Sequence, residues 1–176
     1  EEGGILLTPG QRHQALATPG VKAVIPMVSA FAEWRKPGGG STRVAVVGID
    51  AEDGGLEPWN LAEGTRDDIR APDAIAVDRS YLKDLGIDGA GSSAQIALGR
   101  VRVRALTEGI RSFTQSPYVF TPLQRARNLL NLDGEKGDKS TFFLVQLEPG
   151  ANVETVRSAL QARLEATAKE CRSSMA

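Results

Sequence analysis

The sequence contains few side chains that could carry out catalysis. It has one histidine, His13, and one cysteine, Cys171, and the cysteine lies in a polar C-terminal segment. A cysteine–histidine pair is formally available, but the end of a fraying helix is a poor position for a nucleophile. One cysteine also excludes an internal disulfide and a cysteine metal cluster. We predict that the chain is not an enzyme and has no catalytic or metal-binding residue.

Carboxylates are the remaining catalytic candidates. Asp50, Asp78 and Asp84 could approach one another in the folded chain, but their spacing selects no pair. Most carboxylates of soluble proteins lie at the surface or cap helices. The Gly-x-Ser-x-Gly motif of serine hydrolases does not occur in the sequence. An enzyme whose acids meet only in the fold, with strongly shifted pKa values, stays an open alternative.

Glycine-rich stretches resemble cofactor motifs, but their context does not fit. GAGSSA at 89–94 matches the Gly-x-Gly-x-x-Ala pattern of dinucleotide-binding folds. That pattern requires a strand before it and a helix after it, whereas here a predicted helix precedes it and a predicted strand follows. The stretch at 133–139 lacks the Gly-Lys-Ser/Thr of a phosphate loop, and the acidic stretch at 50–55 lacks calcium-loop spacing. We therefore predict no cofactor.

Two kinds of residue are candidates for binding a partner. Trp34 lies beside a glycine-rich hairpin tip and Trp59 lies in a loop, where exposed aromatic side chains can anchor a partner. Packing under a loop is an equally good interpretation of either tryptophan. RVRVR at 100–104 puts Arg100 and Arg102 on one strand face, which could bind an acidic partner or an anionic lipid headgroup. The alternative is a solvent-facing strand whose charges prevent edge-to-edge aggregation.

Composition limits the class of protein. The 176 residues are 41% hydrophobic and 24% charged, which is typical of a soluble globular fold, and the net charge is −1. Nucleic-acid binding needs clustered basic residues, so we expect no nucleic-acid partner. No apolar run approaches the roughly 20 residues of a membrane span. Because the sequence begins without methionine and ends in a polar segment, we expect it to be a piece of a longer chain.

A short phrase occurs twice, as LTPGQ at 7–11 and FTPLQ at 120–124. Each predicts a helix start with threonine as N-cap, proline in the first turn and glutamine completing a capping box. We predict helices at about 9–17, with Leu16 inward, and at about 122–131. The inward residues of the second helix are predicted to be Leu123, Ala126, Leu129 and Leu130.

Each helix lies between two predicted strands, so the pattern indicates a β-α-β unit written twice. Between the units we predict a hairpin with its tip at 37–41, a strand followed by a short helix within 73–87, and an alternating strand at 100–106. A long helix follows Asn152 as its N-cap. Its apolar stripe is predicted to be Val153, Val156, Leu160 and Leu164.

Two β-α-β halves predict an α+β fold with a ferredoxin-like, split β-α-β lobe. We assign residues 1–50 and 118–168 to this lobe. The segment 51–117 lies between the halves and is predicted to form a small, mostly-β inserted lobe. Residues 169–176 are a polar tail.

Several phrases in order resemble a known family. They are TPGVKAVIPM, WRKPGG leading to VAVVGID, DAIAVDRSYLKDLGI, LGRVRVRALTEGIRSF and SPYVFTPLQRARNLL. Over roughly residues 15–165 this order resembles the extracytoplasmic core domain of MacB-type ABC transporter permeases, and the DevC-like subgroup most. The resemblance implies a porter-like lobe of β-α-β units interrupted by an inserted lobe, in agreement with the pattern of elements.

The resemblance also implies a function. The parent would be an integral membrane permease, working as a homodimer with a cytoplasmic ABC ATPase and a membrane-fusion adaptor in tripartite export. This domain would lie on the periplasmic side of the inner membrane, bind the adaptor and couple ATP hydrolysis to export without catalysing a reaction. The candidate interface residues are then Trp34, Trp59, Arg100 and Arg102. A soluble small-molecule sensor on a ferredoxin-like sheet is the alternative.

Overall fold

The computed structural model of the chain describes residues 6–50, 58–111, 116–133 and 139–173, with side chains up to residue 165. The strands are β1 (Val21–Arg35), β2 (Ser41–Ile49), β3 (Leu61–Glu63), β4 (Ala74–Asp78), β5 (Ser93–Ile96), β6 (Gly99–Thr107), β7 (Tyr118–Pro122) and β8 (Phe142–Leu147). The helices are α1 (Pro9–Leu16), α2 (Arg66–Arg70), α3 (Leu82–Leu85), α4 (Leu123–Leu129) and α5 (Val153–Ser173). The predicted α+β class is therefore confirmed.

Most of the strands close into a ring. Pairing runs from β1 through β2, β7, β4, β6 and β5 and returns to β1. Closure occurs at Trp34, which pairs with Thr42 of β2 on one side and with Ile96 of β5 on the other. Each ring strand therefore has a hydrogen-bonded neighbour along at least part of both edges. We call these strands, with the second half of β1, the ring.

The first half of β1 belongs to a different pairing. From Val21 to Met27 this strand pairs antiparallel with β8, and from Val28 onward it pairs with β2. Thr141 bridges the junction, since its hydroxyl accepts a hydrogen bond from the Ser29 amide at 2.7 Å and donates to the Met27 carbonyl at 3.3 Å. We call the first half of β1 together with β8 the ribbon. Helices α1 and α5 contact each other beside it.

The main core lies inside the ring. It follows from the two-residue alternation of the strands, because alternate side chains of a strand point to the same face. Helix α4 packs against this core where two glycines leave room: a methyl group at Gly48 would overlap Ala126, and one at Gly99 would overlap Leu129. The larger fully buried members of the core are Val28, Trp34, Val44, Val46, Ile75, Val77, Leu85, Ile96, Val101 and Val103.

A second, smaller core lies on the outer face of β2, β7, β4 and β6. Val47, Ala76, Ala105 and Phe120 point outward from these strands and pack together with Ile69 of α2. Helix α2 begins at a capping box in which Thr65 and Asp68 exchange hydrogen bonds. Part of the ring is thus covered on both faces, which is why β4 is buried at every position.

The repeated phrase starts a capped helix only once. At α1 the predicted capping box is confirmed: Thr8 Oγ1 accepts from the Gln11 amide at 3.4 Å, and Gln11 Oε1 accepts from the Thr8 amide at 2.9 Å. The second capping box is wrong. Thr121 stays in β7, buried, and donates its hydroxyl to the Ala74 carbonyl at 2.8 Å. Thr121 precedes Pro122, and a residue before proline favours extended backbone. Its hydroxyl is hydrogen-bonded to β4 and does not cap α4.

Some predicted inward residues also need correction. Leu16 is 46% exposed and Ala15 takes the buried position of α1, while Val153 is 63% exposed because it stands at the first turn of α5. The Asn152 cap is confirmed, with its Oδ1 accepting from the Thr155 amide at 3.0 Å. Val156 is buried, as predicted. The hairpin tip, the strand and short helix within 73–87, and the inward residues of α4 are likewise confirmed.

The predicted division into lobes stays a prediction. Strands β1, β2 and β7 come from the predicted porter-like segments and β4, β5 and β6 from the predicted insertion, and all of them contribute to the ring. The stretches at 50–55 and 133–139 lie mostly outside the described residues, as does the side chain of Cys171. The 89–94 stretch forms a turn and the first part of β5, with helix α3 before it, in agreement with its interpretation as a turn.

Candidate functional site

An apolar groove of about 330 Å³ lies on the outer face of the sheet, where the ring meets the ribbon. Strand register explains its composition: Ser29 of β1 lies opposite Val47 of β2, which lies opposite Phe120 of β7. Side chains at these positions therefore share one face. We call it the aromatic groove, and it is lined by Met27, Ser29, Val47, Ile49, Trp59, Tyr118, Phe120 and Phe142.

Trp59 and Phe142 form the accessible part of the aromatic groove. Trp59 is 65% exposed and its ring meets Phe120 edge-on, with centroids 6.4 Å apart and planes at 68°. Tyr118 also packs against Phe120, with ring centroids 6.2 Å apart and planes tilted by 36°. Phe142, at the start of β8, is 53% exposed and pairs with Met27. A partly buried aromatic cluster with two exposed rings is typical of a surface that binds an apolar partner.

A second surface is basic and lies on β6. The predicted alternation is confirmed: Val101 and Val103 are buried, while Arg100 and Arg102 are exposed. Arg104 continues the row but pairs with Asp73, with Nη2 and Oδ1 2.9 Å apart. Among the described residues no ion pair involves Arg100 or Arg102. Both side chains are exposed to solvent.

The comparison with protein families identifies the domain. The family described as MacB-like periplasmic core domain matches residues 6–163. The chain belongs to this family. It is the periplasmic domain of a MacB-like ABC transporter permease, and such domains are not the catalytic part of the transporter. No individually curated protein matches the sequence.

Solved structures agree with the fold of this MacB-like domain. The periplasmic region of MacB from Actinobacillus actinomycetemcomitans matches with a TM-score of 0.63 at 16% identity, covering 92% of this chain and 74% of that one. The extracellular domain of the ABC-type transporter YknZ from Gram-positive bacteria matches with a TM-score of 0.63 at 14% identity, covering 86% and 78% respectively. At these identities the likeness shows a shared fold.

Within the MacB-like domain, Trp34 is not an accessible anchor. Its side chain is fully buried in the main core, and its indole Nε1 donates to the Leu85 carbonyl at 2.9 Å. The hairpin tip beside it suggested exposure, but Trp34 falls on the inward-pointing positions of β1. The packing interpretation therefore holds for Trp34. Trp59, Arg100 and Arg102 are exposed, and their contact with a partner stays a prediction.

The predicted carboxylate candidates lie at separate places. Asp84 is exposed on α3, and Asp50 follows the end of β2. Asp78 is buried at the end of β4 and accepts hydrogen bonds from Ser80, Thr107 and the Ile110 amide, the last at 2.7 Å. Burial opposes its charged form, but the hydrogen bonds led by Ser80 outweigh burial and hold the pKa of Asp78 below its ordinary value. The Asp78 carboxylate therefore holds together the segments that carry Ser80, Thr107 and Ile110.

Two further structural findings concern the described part of the chain. No group of three or more His, Cys, Asp or Glu residues there is arranged to hold a metal ion. No helix within those residues is both long enough and apolar enough to cross a membrane.

Sequence reasoning missed most of the aromatic groove. Local sequence predicts only that the groove residues Tyr118, Phe120 and Phe142 lie in strands. An aromatic side chain that faces outward from a strand has the same sequence pattern as one that faces the core. A usable signal was the alternation around Val119, which puts Tyr118 and Phe120 on the face opposite the core. The register with β2, which brings Phe120 beside Val47, and the contact of Phe120 with Trp59 could not be read from local sequence.

Proposed function

We propose that this MacB-like domain is a DevC-like permease module that binds a membrane-fusion adaptor and couples cytoplasmic ATP hydrolysis to export. The observation that carries the proposal is the aromatic groove. It combines exposed rings with a firmly packed floor, since Phe120 and Val47 belong to the second core of the ring. Aromatic side chains held on a rigid base lose little conformational freedom on binding, so they are effective anchors for a partner.

The arginine surface on β6 would act at longer range. Arg100 and Arg102 would attract acidic segments of the adaptor and orient it before close contact is made. In this proposal the aromatic groove contributes most of the binding free energy, whereas the arginines mainly raise the association rate.

The coupling part of the proposal depends on β1. This 15-residue strand is shared by the ring and the ribbon, so a displacement of the ribbon is carried directly into the ring. Helix α5 is tied to the start of β1, because Val156 packs against Gly20, where a methyl group would overlap it. A continuous strand paired along both halves transmits movement into the rigid ring better than a flexible linker would.

The remaining partners follow from the same proposal. The permease would form a homodimer in the membrane and contact an ABC ATPase on the cytoplasmic side, as parts of a tripartite export system. In this proposal, residues 1–50 and 118–168 form the porter-like lobe next to the membrane. Residues 51–117 form the inserted lobe.

The experiment measures binding of the adaptor to the permease in detergent, by surface plasmon resonance. Trp59→Ala and Phe142→Ala are each expected to weaken binding by about tenfold, the effect of removing an interface anchor. Leu16→Ala is the matched control, because Leu16 is also a half-exposed apolar residue but lies on α1. Arg100→Gln with Arg102→Gln should lower the association rate and its salt dependence. Adaptor binding unchanged in both aromatic variants would contradict the assigned surface.

A further inference from the structure

The pairing between β1 and β5 is one of the shortest in the ring. These strands pair only at Trp34 with Ile96 and at Arg35 with Gln95. Beside this pairing, a cavity of about 680 Å³ lies between the tip of the β5–β6 hairpin, β1 and the end of α4. We call it the hairpin cavity. Its apolar lining includes Phe31, Leu98, Leu129 and Leu130.

Leu98 stands at the rim of the hairpin cavity and is 90% exposed. It is held there by a strained turn: Ala97 has φ of +51°, a region that residues with a side chain adopt rarely. The Ala97 amide donates to the Glu33 carbonyl at 2.9 Å, which fixes the turn against β1. Backbone strain of this kind clusters at functional sites, so the turn that carries Leu98 is a candidate for one.

Arg125 of α4 supplies a polar group at the same place. Its side chain is half-buried, and its Nη2 donates to the Arg100 carbonyl. Its Nε is buried and has no hydrogen-bond partner among the described residues. Arg125 lines the hairpin cavity, so its guanidinium group brings positive charge to that wall. Glu33 also lines the cavity, but no ion pair joins it to Arg125 among those residues.

Two arginine side chains lie next to the hairpin cavity, in a row that crosses β1, β5 and β6. Arg35 lies opposite Gln95 on β5, and Gln95 lies opposite Arg100 on β6, so Arg35 and Arg100 share the outer face. Both arginines are exposed. Arg100 directly follows Gly99, which lines the cavity and whose missing side chain leaves room for Arg125 and Leu129. An occupant of the cavity therefore meets apolar walls and positive charge together.

We infer that the hairpin cavity binds an extended segment of a partner protein in which an apolar side chain stands next to carboxylates. The apolar side chain packs between Phe31, Leu98 and Leu130, and one carboxylate accepts a hydrogen bond from the guanidinium group of Arg125, which lines the cavity. A flanking carboxylate lies against Arg35 and Arg100. This inference goes beyond the proposed function, because it needs neither the aromatic groove nor an adaptor as the source of the segment.

The test is an NMR titration of the ¹⁵N-labelled 176-residue chain with the capped peptide Gly-Ser-Asp-Leu-Asp-Ser-Gly. Amide shift changes are expected at the hairpin tip and the end of α4, and not at the aromatic groove. Arg125→Met keeps the length of the side chain without its donors and should raise Kd about tenfold, as loss of a charged hydrogen bond does. Arg157→Met on α5 makes the same change of charge away from the cavity and should bind as the wild type does.

A second variant of the cavity and two altered peptides serve as controls. Leu98→Ser alters a residue with almost no packing in the fold, so it should leave Tm unchanged while weakening the peptide several-fold. Replacing both aspartates of the peptide by asparagine, or its leucine by serine, should abolish the shifts. Shifts that are absent, or unaltered by Arg125→Met and Leu98→Ser, would overturn the inference. So would a concentration-dependent dimer of the chain that Leu98→Ser dissociates, since the occupant would then be a second copy.

Discussion

The ring and the ribbon share β1 but differ in how completely their residues are paired and covered. In the ring, β4 is buried at all its positions and is hydrogen-bonded to strands on both edges. In the ribbon, β8 pairs only with β1 among the described residues, and none of its side chains is fully buried. Local opening is least costly where few apolar contacts must be broken. The ring should therefore behave as one rigid body, and the ribbon should yield first.

The largest expected effect comes from the centre of the ring. Trp34→Ala removes a fully buried indole and its hydrogen bond to the Leu85 carbonyl, and should lower the free energy of unfolding by about 4 kcal/mol. Trp59→Ala, at 65% exposure, should cost less than about 1 kcal/mol. Urea unfolding followed by circular dichroism measures both. Equal costs for the two tryptophans would mean that the ring core is not the stabilising unit.

Contact between α4 and the ring should be the next most sensitive feature. Gly48→Ala inserts a methyl group that would overlap Ala126, and the resulting shift of α4 should cost about 3 kcal/mol. Gly38→Ala is the matched control in the hairpin tip, where an added methyl meets nothing within 4 Å. The same unfolding assay compares them. A Gly48→Ala domain as stable as the control variant would show that α4 is not packed tightly against β2.

Asp78 makes the ring sensitive to acid. Its folded-state pKa lies below the ordinary value of 3.8, so the ionised carboxylate contributes stability above that value and loses it as the pH falls through the folded pKa. Asp78→Asn should cost about 2 kcal/mol at pH 7, the scale of a charged hydrogen bond. The difference between wild type and variant should shrink as the pH falls below 3.8, as urea unfolding across pH would reveal. A difference that is constant with pH would contradict this role.

The junction between the ring and the ribbon should give the smallest and most local effect. Thr141→Val removes the hydroxyl that accepts from the Ser29 amide and donates to Met27, at a cost of about 1 kcal/mol. Hydrogen exchange should speed up in β8 and in the first half of β1, with the ring strands changed little. Exchange that accelerates equally in β4 would mean that the ring and the ribbon open together.

The sequence predicted local features of the fold well, because they depend on residues near one another in the chain. The capping box at Thr8, the Asn152 cap, the hairpin tip and the alternation at 100–104 all follow from short-range rules. Thr121 was mispredicted because its hydroxyl is engaged by the Ala74 carbonyl, a partner 47 positions away. Closure of the ring at Trp34 likewise depends on long-range register, and burial of that tryptophan follows from it.

The candidate site was predictable only in part, for the same reason. Arg100 and Arg102 follow from alternation within one strand, and the exposure of Trp59 follows from its position in a loop. The aromatic groove joins residues of β1, β2, β7 and β8 that meet only through strand pairing. The position of Arg125 in the hairpin cavity is likewise a property of packing, because a side chain at Gly99 would crowd its Nη2.

Native-state hydrogen exchange of the unmodified chain tests most directly whether the ring is the rigid body and the ribbon the yielding one. The account predicts that amides of β2, β4, β6 and β7 exchange only through global unfolding, with the same free energy and the same dependence on denaturant. Amides of β8 and of Val21–Met27 should exchange through smaller openings of lower free energy. Protection of β8 equal to that of β4, or ring strands that exchange before the ribbon, would contradict it.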